Sequence, residues 1–212
     1  MGFNRRDVVQ MLRHENELLK ARNRHISDKL IRYQQAFRAL NRMDDTMRGL
    51  SKEIDVEKLV NELLSLALHA SDSENGSLIF IDEEAGELVF VDVIGEARDH
   101  LLNHRIKNDV GVVSHVVKTR KAVLVTDVQK SSRWSSEVDQ VVGFKTQALM
   151  CAPLYSDDKT YGAIEVINNN SIEDFDENDL AILRVTARFV SQALQKAEQV
   201  TRLVDKKPGQ GP

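Results

Sequence analysis

Residues 143–168 read GFKTQALMCAPLYSDDKTYGAIEVIN and show no helical periodicity. Gln147 to Tyr155 is nearly all apolar, and Thr160 to Ile167 contains Tyr, Ile, Val and Ile. The polar residues Ser156 to Lys159 between them are typical of a tight turn. The stretch therefore predicts a β-hairpin. The apolar run from Ala148 to Leu154 predicts a central strand of a sheet, covered on both faces because helices pack against it.

Length and composition favour one domain with an extension. The 212 residues include 42% hydrophobic and 29% charged residues, which is enough for one sizeable core. No apolar run approaches the roughly 20 residues that span a bilayer, and the N-terminus lacks the apolar core of a signal peptide, so we expect a cytoplasmic protein without membrane contact. The single cysteine, Cys151, excludes an internal disulfide and a multi-cysteine metal site, and its apolar surroundings favour a buried structural thiol.

The first 50 residues carry a seven-residue repeat. All six residues at one heptad position, from Leu12 to Met47, are apolar, which predicts a coiled coil with this set at position d. Asn16 and Asn23 then occupy a positions, where paired asparagines fix the register and favour two parallel strands. The alternative is one long amphipathic helix that folds back on its own domain. The predicted interface of the parallel homodimer consists of Leu12, Asn16, Leu19, Asn23, Ile26, Leu30, Tyr33, Phe37 and Leu40.

Charge is distributed unevenly along the chain. Residues 1–50 contain 11 Lys or Arg and 6 Asp or Glu, a net charge of +5, whereas the remainder contains 18 and 27, a net charge of −9. A basic arm can attract nucleic acid or an acidic partner. Here the basic residues are spread along a helix, which favours a solvated helix face over a nucleic-acid-binding arm.

The rest of the sequence predicts alternating helices and strands. Asp55 and Asp176 are placed to cap helices that run to Ala70 and to about Asp205. The polar segment 127–142, which holds Trp134, predicts a lid or irregular connection beside the sheet. The other predicted elements are a second hairpin (77–81 and 87–94), a strand start at 105–106, a helix (110–119), a short strand (122–125) and a frayed tail (206–212).

Several short motifs follow one another in a family-specific order: Gly76–Asp82 (GSLIFID), Gly111–Val117 (GVVSHVV), Val125–Asp127, Cys151–Leu154 (CAPL), Gly162–Asn168 (GAIEVIN) and Phe175 before Asp179. In this order and spacing they resemble a GAF domain over residues 55–198. The resemblance implies an α+β fold, in which an antiparallel sheet of about six strands has terminal helices on one face and a lidded small-molecule pocket on the other. It also implies dimers through the terminal helices. We therefore expect a coiled-coil helix (1–50), a GAF domain (51–205) and a disordered tail (206–212).

The resemblance is strongest to GAF domains of the cyclic-nucleotide class, and it suggests which residues bind ligand. Ser77, Asp139, Thr146 and Glu165 match polar positions of that class, and their hydroxyls and carboxylates can supply the few hydrogen bonds that a pocket needs. The family's Asn-Lys, Phe and Asp-Glu signature here reads Asn168-Asn169, Phe175 and Asp179-Leu180, so the lysine that pairs with the aspartate is absent, although Asn169 could donate a hydrogen bond to Asp179. The predicted ligand-binding residues are Ser77, Ile94, Val113, His115, Trp134, Asp139, Thr146 and Glu165.

Three functions are compatible with this sequence. The favoured one is a non-catalytic dimeric sensor, which binds a small molecule and passes the change through its helices to a separate signalling protein. The alternative is a structural dimer whose pocket is filled by its own side chains, among them Val93, Ile94 and Val142. An enzyme such as the free-methionine-sulfoxide reductase of this fold is less favoured because one cysteine cannot form the required disulfide. The sequence identifies no cofactor, and the spacing of its histidines does not resemble a metal site.

Overall fold

The structure, a computed structural model, describes residues 5–49, 55–109, 111–170 and 174–205. The predicted tail at 206–212 and the predicted junction between the coiled coil and the domain at residues 50–54 lie outside these ranges. In chain order the elements are α1 (Arg5–Gly49), α2 (Val56–Ala70), β1 (Asn75–Asp82), β2 (Glu87–Ile94), α3 (Arg98–Leu101), β3 (Arg105–Lys107), α4 (Gly111–Thr119), β4 (Val123–Val125), a 3-10 turn (Val128–Lys130), α5 (Glu137–Val142), β5 (Leu149–Tyr155), β6 (Thr160–Ile167) and α6 (Glu177–Asp205).

One antiparallel sheet contains all six strands, in the order β3-β2-β1-β6-β5-β4. This confirms the predicted α+β class and both predicted hairpins. The position of β5 differs from the prediction, because it lies second from one edge and the centre is formed by β1 and β6. Six of the seven residues of β5 are nevertheless buried, since helices cover both faces and the short β4 protects its outer side. A continuous apolar run therefore indicates that both faces of a strand are covered, and it does not indicate that the strand is central in the sheet.

The two faces of the sheet support two hydrophobic clusters. On one face, α2 and α6 pack through Leu63, Leu64 and Leu183 against Ile164 and Val166. Asp55 caps α2 by accepting a hydrogen bond from the backbone N of Lys58, as its sequence position predicts. The opposite face is covered by α4 and the segment that contains α5, and this second face holds the candidate site.

The second half of α1 packs on its own domain, against α2 and α6. Ala36 is fully buried, and Leu40 is 7% exposed and belongs to the cluster formed by α2 and α6. Tyr33 is half-buried and donates a hydrogen bond to Asp179. The expectation that Leu40 faces a partner chain is thus corrected, because the successive d positions of a straight helix rotate gradually toward the domain. Tyr33 lies between the two arrangements, half-buried beside Asp179. The fold-back alternative describes this part of α1.

The first half of α1 remains exposed. Residues 5–28 are exposed apart from the half-buried His25, and they extend for about 35 Å at 1.5 Å per residue. An exposed apolar stripe runs along this half and continues on the side of the second half that does not contact the domain. Its members are five of the predicted interface residues, between 52% and 67% exposed: Leu12, Leu19, Ile26, Leu30 and Phe37. Asn16 and Asn23 are exposed as well. This stripe is the surface that the predicted parallel dimer would bury.

A charged cluster holds α1 against the start of α6. Lys29 Nζ lies 3.2 Å from Asp179 Oδ2 and 3.0 Å from Asp176 Oδ2, and the Tyr33 hydroxyl donates to Asp179 Oδ1 at 2.6 Å. The side chain of Asp179 is only 3% exposed, and it also accepts a hydrogen bond from the backbone N of Asp176 at 2.9 Å. Burial lowers the pKa of Lys29, but the hydrogen bonds and charges of the two aspartates outweigh it and raise that pKa above its usual value. Lys29, which is distant in sequence, is therefore the cation that pairs with the buried Asp179.

Replacing Lys29 with Met is expected to reduce the free energy of unfolding by about 3 kcal/mol, because it removes the cation from a buried carboxylate. Chemical denaturation at fixed protein concentration measures this change. The matched control is Lys20→Met, whose exposed ion pair with Glu17 should contribute less than about 1 kcal/mol. Equal effects of the two substitutions would show that the Lys29 cluster contributes no more than a surface ion pair.

Candidate ligand-binding site

A cavity of about 80 Å³ lies on the sheet face that α2 and α6 do not cover. Its walls come from β2, β3, β6, the first turn of α4 and the segment around α5. A second cavity of about 30 Å³ adjoins it, and the two share four lining residues, which are Leu101, Val138, Asp139 and Ile167.

The structure brings seven of the eight predicted ligand-binding residues to these two cavities. Five line the larger one: Val113, Trp134, Asp139, Thr146 and Glu165. Ser77 and Ile94 line the smaller one. His115 lines neither, because the larger cavity is bordered by the first turn of α4 and His115 lies half-buried in the next turn.

Most of the apolar wall was missed by sequence reasoning. Phe90, Leu101, Ile106 and Ile167 line the larger cavity, as does Lys107. Alternation in β2 and β6 could have indicated that Phe90 and Ile167 face the interior. Nothing local marks Leu101 or Lys107, because their positions depend on how the short α3 and β3 fold over the sheet.

Asp139 and Thr146 join the covering segment to the sheet. The Thr146 backbone N and hydroxyl donate to the two oxygens of the Asp139 carboxylate at 2.8 and 2.7 Å. This geometry requires the chain to reverse after α5, and Gly143 provides the reversal with a φ of 66°. Thr146 is buried and Asp139 is half-buried, so the pair places a fixed carboxylate at the cavity wall.

Glu165 is the second carboxylate of the cavity. It lies on β6 between Ser77 of β1 and Cys151 of β5, and it is 6% exposed. Within the described part of the chain, its carboxylate has no hydrogen bond or ion pair. Burial, with a further contribution from the charge of Asp139, raises the pKa of Glu165 to about 7, while the nearby Ser77 hydroxyl opposes the rise without reaching hydrogen-bond geometry. Near neutral pH the side chain can therefore donate or accept a proton.

Trp134 and Lys107 border the cavity from the outside. Trp134 is half-buried in the covering segment, where its backbone N donates to the Ser131 carbonyl at 3.2 Å. Lys107 is the last residue of the edge strand β3, and its side chain is exposed. The cavity thus has an acidic interior, apolar walls, an aromatic cover and a basic residue at its border.

Other kinds of site find no support in the described residues. Within ranges 5–49, 55–109, 111–170 and 174–205, no three His, Cys, Asp or Glu residues are grouped so that they could hold a metal ion. No helix in the same ranges is long and apolar enough to cross a membrane.

Comparison with known proteins identifies the class of this domain. A sequence profile of the GAF domain matches residues 53–195, and the chain therefore belongs to the GAF domain family. GAF domains commonly mediate signalling and small-molecule sensing, are generally regulatory, and often dimerise and regulate partner domains.

Among curated proteins, the cGMP-specific 3',5'-cyclic phosphodiesterase of Drosophila melanogaster is 30% identical over 92 residues, which are 42% of this chain and 8% of that protein. The match thus spans less than a tenth of this relative.

Two of the solved structures that share the fold illustrate the range of proteins that contain it. One is the GAF domain of a phosphoenolpyruvate-protein phosphotransferase from Coxiella burnetii (TM-score 0.64, 15% identity, 79% of this chain and 96% of that one). The other is free methionine-R-sulfoxide reductase from Neisseria meningitidis (TM-score 0.60, 19% identity, 76% and 89%).

Proposed function

We propose that this protein is a non-catalytic, dimeric cytoplasmic sensor, which binds a small molecule in the cavity and passes the change through its helices to a separate signalling partner. The observation that carries the proposal is a continuous set of polar contacts between the cavity wall and α1.

The contacts begin at Thr146. The side chain of Asn168 binds the backbone on either side of Thr146. Its oxygen accepts a hydrogen bond from the backbone N of Gln147 at 2.7 Å, and its nitrogen donates one to the carbonyl of Lys145 at 2.9 Å. Asn168 adopts a φ of +46° at the end of β6, so it links the start of β5 to the segment that follows β6. A shift at Thr146 therefore moves the end of β6.

Two residues after Asn168, the same segment is connected to α1 through Asp72. The backbone N of Asn170 donates to the Asp72 carbonyl at 2.8 Å, and Asp72 Oδ2 lies 3.7 Å from Arg32 Nη2 on α1. His69, near the end of α2, adds a contact of 2.9 Å to Gln35 of α1. Each contact is local, and together they connect the cavity to the helix that carries the predicted dimer interface.

A ligand that competes with Thr146 for Asp139 would alter this set of contacts. Signalling requires that the ligand bind more tightly to one arrangement of α1 than to the other. In the proposed dimer, α1 lies between its own domain and the partner's α1, so a shift of α1 on one domain changes how the two domains are oriented. The basic side chains of the first half of α1, outside the apolar stripe that the dimer would bury, form the proposed docking surface for the output protein.

A structural dimer remains the second candidate, and the small size of the cavity favours it. An engineered apolar cavity of about 150 Å³ holds benzene, so a cavity of about 80 Å³ is too small for the much larger cyclic nucleotide unless the covering segment moves. An enzymatic role receives less support. Burial, followed by the charge of Glu165, raises the pKa of the Cys151 thiol well above its usual value, which makes it a poor nucleophile.

Native mass spectrometry of freshly purified protein tests the proposal, because it reports both stoichiometry and any retained small molecule. We expect a dimer. Metabolites that raise the melting temperature should also change hydrogen exchange in residues 29–40 of α1. A monomer at high concentration would contradict the proposal, as would a ligand in the cavity that leaves exchange in α1 unchanged.

A further inference from the structure

We propose that the larger cavity takes a small planar cation rich in hydrogen-bond donors, namely a guanidinium or amidinium group; this inference rests on the proposed sensory role of the same cavity.

The charge of the cavity is the first argument. Asp139 and Glu165 are both wall residues, and neither has an ion pair within the described part of the chain. Lys107, the basic residue among the lining residues, is exposed at the border, and it is not one of the charges that perturb Glu165. Thr146 occupies one lone pair on each oxygen of Asp139 and leaves the others available. The acidic interior therefore lacks a cation.

The unpartnered state of Glu165 is the second argument. The Glu165 side chain is 6% exposed and lines the cavity, and its carboxylate makes no hydrogen bond to the described residues, so a ligand in the cavity can supply the partner that buried polar groups normally have. A guanidinium or amidinium group presents parallel N–H donors in the plane that a carboxylate recognises, and it can bind two oxygens at once. Such a ligand would satisfy Glu165 and reduce its repulsion with Asp139 in one step.

Size and the aromatic cover are the third argument. The cavity has about half the volume of one that holds benzene, so it suits a group of about four heavy atoms such as guanidinium. Trp134 lines the same cavity, and the face of an indole ring attracts a planar cation electrostatically. The rest of a larger ligand can extend out of the cavity past Lys107.

Binding of a cation beside Glu165 is expected to release a proton. The titratable and charged groups that face Glu165 are Asp139 from α5, Cys151 from β5 and, at the border, Lys107. A bound cation favours the ionised form of Glu165, whose pKa in the free protein is about 7. Affinity should therefore rise with pH below 7, by up to about tenfold per unit, and level off above it.

Fluorescence of Trp134, the single tryptophan of the chain, provides the test. The full-length protein is titrated with guanidinium or acetamidinium chloride up to about 20 mM at constant ionic strength, with urea and acetamide as neutral probes of similar shape. We expect a saturable response to the two cations only, with an affinity that rises between pH 6 and pH 8. Glu165→Gln should reduce the affinity at least about tenfold and remove its pH dependence. The exposed Glu83→Gln should change neither property.

Equal responses to urea and guanidinium, or unchanged binding by Glu165→Gln, would overturn the assigned ligand class. Titrations with neutral and anionic metabolites distinguish a wrong ligand class from a wrong sensory function. A saturable Trp134 response to one of them, without a response to the cations, would overturn the ligand class and leave the sensor intact. No response to any probe, together with no retained molecule in the native mass spectrum, would overturn both.

Discussion

Replacing Leu19 and Ile26 together with aspartate is expected to convert the proposed dimer into a monomer. Both side chains are more than half exposed in the single chain and lie on the predicted coiled-coil seam. Burying one such side chain stabilises an interface by about 1.5–3 kcal/mol, and a dimer buries two copies of each. The double substitution also places four carboxylates in that seam. The dissociation constant should therefore rise by at least about a thousandfold, which sedimentation equilibrium over a range of concentrations measures.

The chain offers a matched control for this experiment. Leu18 and Ile31 are equally apolar, are 58% and 51% exposed, and lie on α1 outside the a and d positions. Leu18→Asp with Ile31→Asp makes the same chemical changes and should leave the dissociation constant within about tenfold of the wild-type value. If the Leu19 and Ile26 variant stays dimeric, association uses a surface other than the seam. If the control dissociates equally, the loss of apolar surface rather than the heptad pattern is responsible.

Local signals account for most of the fold that could be predicted from the sequence. The caps at Asp55 and Asp176, the turn between β5 and β6 and the alternation in the strands each depend on a few neighbouring residues, and the structure contains all of them. The position of β5 could not be predicted in the same way. Burial of its side chains gives no information about how many strands lie beyond it.

Long-range partners account for what the sequence did not reveal. The heptad pattern identified an apolar face of α1, but it did not distinguish a partner chain from the domain of the same chain, and Leu40 contacts the latter. The Lys29 partner of Asp179 is 150 residues away in sequence. Family resemblance placed the polar residues Asp139, Thr146 and Glu165, whereas the unpartnered state of Glu165 depends on which elements pack around it and has no sequence signal.

Glu165→Gln is expected to stabilise the protein at pH 8 and to remove a pH dependence of its stability. The pKa of Glu165 is raised to about 7 in the folded state by burial and by Asp139, whereas an unfolded glutamate titrates near 4.3. The folded state therefore binds more protons between these values, and the free energy of unfolding falls as the pH rises from about 4.5 to about 7. The total decrease is roughly 3.5 kcal/mol, and the contribution is nearly constant above about pH 8. Glutamine carries no charge, so the variant should lack this decrease and exceed the wild type by about that amount at pH 8. Urea denaturation at several pH values and a fixed protein concentration measures the difference.

This result would separate a functional carboxylate from a structural one. A substitution that merely damages the cavity lowers stability at every pH, whereas removal of an unpaired buried charge raises stability above pH 7 and lowers affinity for the cation in the same variant. Asp139→Asn is the informative comparison, because the Asp139 carboxylate accepts two hydrogen bonds from Thr146 and its loss should destabilise the protein by about 1–3 kcal/mol. If Glu165→Gln instead destabilises the protein at pH 8, the carboxylate has a stabilising partner, and the acidic interior does not need a ligand to neutralise it. If Glu165→Gln is more stable than the wild type at pH 8 and binds the cation more weakly, the two results together would indicate that the cavity retains an unfavourable charge because a cationic ligand uses it.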